Sequence, residues 1–207
     1  MRDPYNVVIT GVGGQGNVLA SLLVGAVLVD KGYKVTIGET YGASQRGGSV
    51  MSHVRISRDR QYGPLIPPGM ADLVIALEPT EAARVLAQYG FDETVAVVNT
   101  RPVHPVDVIS GNMQYPALDA LFERIMSLSK NAYMVAATDK ALEMGNAILA
   151  NIILIGAVAG LGLLPIDEDD IEKAVSTYLS PNRVEMNRSA FVGGQQLVKG
   201  WACSCRN

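Results

Sequence analysis

The sequence predicts an α/β fold: an open, mostly parallel β-sheet covered by helices, forming a single domain over residues 1–207. Three observations carry this expectation. Short apolar, β-branched runs alternate with segments of helical periodicity along the whole chain. The first such run stops at a glycine cluster that opens a helix-like segment. At 207 residues, 48% of them hydrophobic and 18% charged, the chain has enough material for one well-filled core and too little for two.

Tyr5–Thr10 (YNVVIT) reads as a buried strand. Asn17–Lys31 is apolar at helical spacing and stops at Gly32. Lys34–Glu39 reads as a second strand. Ser49–Ser57 alternates Val50, Ser52, Val54 and Ile56 against Met51, His53 and Arg55, a strand with two different faces. Leu73–Leu77 and Thr94–Val98 are short buried strands, and between them Thr80–Tyr89 is a helix with capping chemistry at Pro79-Thr80-Glu81. Pro116–Ser129 and Asp167–Tyr178 are amphipathic helices and Tyr133–Ala137 a strand. Gln61–Met70 and the tail after Trp201 carry no regular pattern.

Ala147–Leu164 (AILANIILIGAVAGLGLL) has Asn151 as its only polar side chain and contains Gly156-x-x-x-Gly160, a spacing used by paired transmembrane helices. It falls short of the roughly 20 apolar residues of a span and lacks flanking Lys or Arg. A buried helix is expected, either at the centre of this domain or half-covered by another subunit; in the second case the isolated chain self-associates into a homo-oligomer.

Charge narrows the function classes. With 17 basic and 20 acidic residues the net charge is −3, which argues against nucleic acid or an anionic membrane as partner. The N-terminus has no basic stretch leading into an apolar core, so a cytoplasmic location is expected. The only cysteines, Cys203 and Cys205, cannot build a disulfide framework or ligate an iron–sulfur cluster by themselves, and no metal site is expected.

Gly11-Val12-Gly13-Gly14-Gln15-Gly16 follows the first strand and satisfies G-x-G-x-x-G. Glycines allow positive φ and bring backbone N–H groups close to an anion at a helix N-terminus. Glu39 lies 23 positions after Gly16, near the spacing of the acid that holds a ribose hydroxyl in dinucleotide-binding, Rossmann-like folds. Two readings stay open here: an NAD(P)-dependent dehydrogenase, or glycines that serve tight strand–helix packing. Gln15 either faces an anion or bonds the helix start. A second loop, Glu39–Ser49, carries Ser44, Gln45, Arg46, Gly47 and Gly48. Arg46 offers a planar fork for phosphate or carboxylate, or else pairs with Glu39. In a doubly wound sheet both loops emerge at the carboxyl edge, where ligands sit.

GVGGQG (Gly11–Gly16), TYGASQRGGS (Thr40–Ser49), HVRIS (His53–Ser57), ADLVIALEPTEAAR (Ala71–Arg84), GNAILANIILIGAVAGLGLLP (Gly145–Pro165) and MNRSAFVGG (Met186–Gly194) together resemble the gamma domain of 2-oxoacid:ferredoxin oxidoreductases, with the SQRGGSVMSHVR wording nearest the family's indolepyruvate branch. The resemblance covers nearly the whole chain. It implies oxidative decarboxylation of a 2-oxoacid to an acyl-coenzyme A, with thiamine diphosphate and iron–sulfur clusters on a cluster-bearing alpha-type subunit and electrons leaving to ferredoxin. This chain is then a non-autonomous subunit that binds no cofactor alone. Gly11, Gly13, Gly14, Gln15, Gly16 and Ser44–Gly48 form an edge for coenzyme A phosphates or for the partner. The branch using pyruvate or ketoisovalerate is the alternative substrate reading, and a purely structural module is a third reading of the chain. No residue is expected as a catalytic acid or base. His53 reads as a packed, hydrogen-bonded histidine, His104 as a loop residue, and Asn187 as a helix-start cap or packing residue. Cys203-x-Cys205 is read as incidental.

Overall fold

The structure is a computed structural model that describes residues 2–41 and 48–201. The elements run β1 (Tyr5–Val12), α1 (Asn17–Asp30), β2 (Lys34–Tyr41), β3 (Ser49–Ser57), β4 (Leu73–Ala76), α2 (Pro79–Tyr89), β5 (Val95–Asn99), α3 (Val106–Ile109), α4 (Leu118–Ser127), β6 (Asn131–Val135), α5 (Ala137–Glu143), α6 (Ala150–Gly160), α7 (Glu168–Tyr178) and α8 (Val184–Leu197). They build a six-stranded sheet in the order β2-β3-β1-β4-β5-β6.

Strands β1, β4, β5 and β6 are parallel. β3 is antiparallel to both of its neighbours, β1 and β2. The short connection between β2 and β3 explains this, because a return to a parallel neighbour needs a crossover of a dozen residues or more. The Glu39–Ser49 loop is therefore a strand-to-strand connection, not a strand-to-helix loop as the doubly wound pattern suggests. Its described end, Ser49, lies at the carboxyl edge of β1, registered against Val12.

Side chains alternate between two faces. Val7, Ile9, Leu73, Ile75 and Val97 share a core with α1 and α5–α8, while Val8, Val74, Ala76, Ala96 and Val98 pack with α2 and α4. The chain leaves β1 toward β2 and β3 on one side and toward β4 on the other, which makes the β1/β4 carboxyl end the switch point where ligands of open α/β sheets sit.

The apolar run divides into a 3-10 turn at Ala147–Leu149 and α6, which stops at Leu161 ahead of Gly162 (φ 71°). Ala150–Val158 are all buried, so the helix lies at the centre of this chain's own core. Its glycine spacing brings two backbones together. A Cβ on Gly156 would lie 2.0 Å from the Phe191 carbonyl oxygen of α8, and one on Gly194 would lie 1.9 Å from that of Ile153. Among the described residues no helix is long and apolar enough to cross a membrane. Helices α3, α5 and α8 have no counterpart among the elements read from the sequence, and of the two readings of Asn187 the packing one agrees with the structure: it sits inside α8, buried, and donates to the Arg183 carbonyl at 2.7 Å.

Candidate functional site

The glycine turn is tightly cross-braced. Gly11 belongs to β1, and a Cβ there would lie 2.6 Å from Gln15 Oε1, so glycine is needed for close packing. The Gly13 N–H donates to the Gly48 carbonyl at 2.8 Å and joins the two predicted loops directly. Gln15 is an internal staple. Its Oε1 accepts from the Val12 N–H at 2.7 Å and its Nε2 donates to the Leu77 carbonyl at 2.9 Å, bridging the ends of β1 and β4.

Gly14 (φ 103°) and Gly16 (φ 84°) occupy left-handed conformations that favour glycine. A Cβ on Gly14 would meet nothing within 4 Å, whereas one on Gly16 would lie 2.4 Å from Asn151 Nδ2. Helix α1 begins after Gly16, and no described side chain caps it. Ser44, Gln45, Arg46 and Gly47 lie outside the described residues, as do Cys203 and Cys205.

Beside this turn a crevice of about 210 Å³ opens at the switch point, lined by Gly14, Gln15, Leu77, Pro102, Val103 and Ile148, with Arg101 and Thr138 also on its wall. Arg101 pairs with Asp139 at 3.0 Å, and both are half exposed. Buried Asn99, at the end of β5, donates to Leu77 O (3.0 Å) and Thr138 Oγ1 (2.8 Å) and accepts from the Thr138 N–H (3.0 Å), so it locks three elements at the crevice floor.

Two carboxylates hold the start of α2, next in sequence to Leu77 of the crevice wall. Glu78 is fully buried and caps α2, accepting from the Glu81 N–H at 3.0 Å and from Thr80 Oγ1. Glu81 accepts from Ser49 Oγ (2.6 Å) and from Arg84, which ties α2 to the start of β3.

Sequence reasoning missed Asn99, Arg101 and Thr138. It saw the cap of α2 at Pro79-Thr80-Glu81, yet a proline at the first helical position marks Glu78, one residue earlier, as the cap.

Glu39 departs from the ribose-acid expectation. Its two oxygens accept from Ser21 Oγ (3.0 Å) and Ser52 Oγ (2.7 Å), docking α1 on the sheet. Moreover β3 separates β2 from β1, so Glu39 lies two strand spacings, about 10 Å, from the strand that leads into the glycine turn. His53 is packed as expected: buried, with Nδ1 accepting from the Ile66 N–H at 3.3 Å and its ring edge-on to Tyr89. Burial, followed by the nearby Arg55 charge, lowers its pKa from the ordinary histidine value. His104 is a loop residue against Tyr115. Among the described residues no three His, Cys, Asp or Glu side chains gather as a metal-binding group.

The model of the pyruvate ferredoxin/flavodoxin oxidoreductase family matches residues 6–197. The chain belongs to this family. Within it, the chain is similar to the indolepyruvate oxidoreductase subunit IorB of Thermococcus kodakarensis, 37% identical over 94% of this chain and 96% of that protein, and to IorB of Pyrococcus horikoshii, 38% identical over the same shares. Among solved structures, the gamma subunit of a keto/oxoacid ferredoxin oxidoreductase from Geobacter sulfurreducens shares the fold with a TM-score of 0.67 at 24% identity, covering 95% of this chain and 99% of that one. A 2-oxoglutarate:ferredoxin oxidoreductase from Magnetococcus marinus, with 2-oxoglutarate, coenzyme A and succinyl-CoA bound, does so with a TM-score of 0.73 at 20% identity, over 97% of this chain and 32% of that one. The family member described here is thus an oxidoreductase subunit, and its open α/β sheet is the family's own.

Proposed function

We propose that this chain is the non-autonomous subunit of an indolepyruvate-type 2-oxoacid:ferredoxin oxidoreductase, located in the cytoplasm, whose glycine turn and adjoining crevice receive the phosphates of coenzyme A. The observation that carries the reading is the end-to-end likeness to indolepyruvate oxidoreductase subunits, at 37% identity over 94% of the chain. In the assembled enzyme the 2-oxoacid loses carbon dioxide, its acyl carbon is joined to the coenzyme A thiol, and two electrons pass to ferredoxin. Thiamine diphosphate and iron–sulfur clusters, carried by an alpha-type partner, supply the decarboxylation and electron-transfer chemistry.

This chain's residues fit the anionic end of coenzyme A. Gly14 stands in open space on the crevice wall, α1 starts there without a described side-chain cap, and Arg101 lines the crevice. Gln15 and Gly13 serve that edge indirectly: the first staples β1 to β4, and the second donates to the Gly48 carbonyl. Glu39, spent on two serine hydroxyls, leaves a dinucleotide reading without its ribose acid.

Reconstitution tests this. The purified chain alone should oxidise no 2-oxoacid, and co-expression with a cluster-bearing partner should yield indolepyruvate-dependent ferredoxin reduction. Activity of the isolated chain, or a preference for pyruvate, would overturn the assignment. In the complex, Arg46→Ala should raise the KM for coenzyme A with assembly intact; an unchanged KM removes this loop from the coenzyme A site.

A further inference from the structure

The wall of the crevice formed by Arg101, Pro102 and Val103 belongs to a segment with little of its own to hold it. Between β5 and α4 the only regular element is α3, four residues long, and none of them is buried. Val106 and Ile109 are 78% and 74% exposed, and Tyr115 near the far end is the residue of this stretch that packs against the core of α2 and α4.

Its anchor lies underneath. Glu78 uses one carboxylate oxygen to cap α2, accepting from Thr80 and Glu81, and that alone satisfies a helix start. The other oxygen accepts from the Tyr115 hydroxyl and from the Val103 N–H at 3.4 Å, two points near opposite ends of the segment. Tyr115 in turn carries the His104 ring, with centroids 5.0 Å apart. Burial of the phenol, together with the Glu78 carboxylate, raises the Tyr115 pKa far above its ordinary value, so the hydroxyl stays a donor. An acid sealed from water needs such donors, and the segment supplies two of them, while Arg101 is also held by Asn99 Nδ2 at its carbonyl and by Asp139.

We infer that Glu78 is a positioning residue: through Tyr115 and the Val103 amide it sets the placement of the Arg101–Val103 wall and thereby the affinity of the crevice for its ligand. The inference rests on the reading of the crevice as the coenzyme A site. In the reconstituted complex, Tyr115→Phe removes one anchor and leaves the α2 cap whole. It should speed amide exchange in peptides covering 100–106 and raise the KM for coenzyme A roughly tenfold, the scale of one buried hydrogen bond, with little change in kcat. Glu78→Gln, which puts an amide N–H against existing donors, should do the same more strongly.

Ile148→Trp, which fills the crevice from the opposite wall without touching Glu78, separates the two ideas. Unchanged exchange in Tyr115→Phe overturns the assignment of Glu78. So does an unmoved KM for coenzyme A when Ile148→Trp raises it. A KM unmoved by both variants overturns instead the coenzyme A reading on which the inference stands.

Discussion

The side-chain amide of Asn151 donates to the Gly16 carbonyl at 3.2 Å, tying the first turn of α6 to the residue that opens α1 across 135 positions of sequence. The only polar side chain of the apolar run thus braces the glycine turn at Gly16, alongside the Gln15 and Gly13 bonds. Asn151→Ala should lower unfolding stability by about 1–2 kcal/mol, because it takes one of two hydrogen bonds from the Gly16 carbonyl, which keeps the Ala20 N–H, and leaves a small void. Urea unfolding of the isolated chain measures it.

Gly16 and Gly14 both adopt positive φ, but only Gly16 is crowded. Gly16→Ala combines backbone strain with a Cβ 2.4 Å from Asn151 Nδ2 and should destabilise clearly more than Gly14→Ala, which carries strain of about 1 kcal/mol alone. Equal midpoints in thermal melts of the two variants would contradict the packing described.

The α6–α8 crossing should be the least tolerant place in the core. A methyl on Gly194 lands 1.9 Å from the Ile153 carbonyl oxygen, a backbone atom that cannot swing aside. Gly194→Ala should cost about 3 kcal/mol or more, read as loss of soluble protein or a large drop in melting temperature.

The pH dependence of stability follows from His53. Its folded pKa is lowered by burial, so below about pH 6.5 the unfolded chain takes up a proton that the folded chain resists. Stability is full above that pH and falls as pH drops through it toward the lowered folded value. His53→Asn, whose side-chain oxygen can take the place of Nδ1 toward the Ile66 N–H, should flatten the slope just below about pH 6.5. An unchanged slope would show that His53 is not its source.

Glu39→Gln should leave the KM for coenzyme A unmoved and cost about 1 kcal/mol of stability, since Glu39 joins α1 to β3 through Ser21 and Ser52. A raised KM would place Glu39 in the ligand site after all.

Local patterns made much of this molecule legible. Two-residue alternation marked β3 over Ser49–Ser57, glycines with an apolar helix behind them marked the β1–α1 turn, and an uncharged run of eighteen residues marked the buried helix. Such signals depend only on which neighbours along the chain share a face. Strand order carries no such signal: a strand buried on both faces has the same apolar pattern beside either partner, so the insertion of β3 between β1 and β2 emerged only in three dimensions. That one insertion moved Glu39 away from the glycine turn. Likewise the donors that gather on Glu78 and the carbonyls that Gln15 and Asn151 reach come from segments remote in sequence, and only the closed fold brings them within hydrogen-bonding distance.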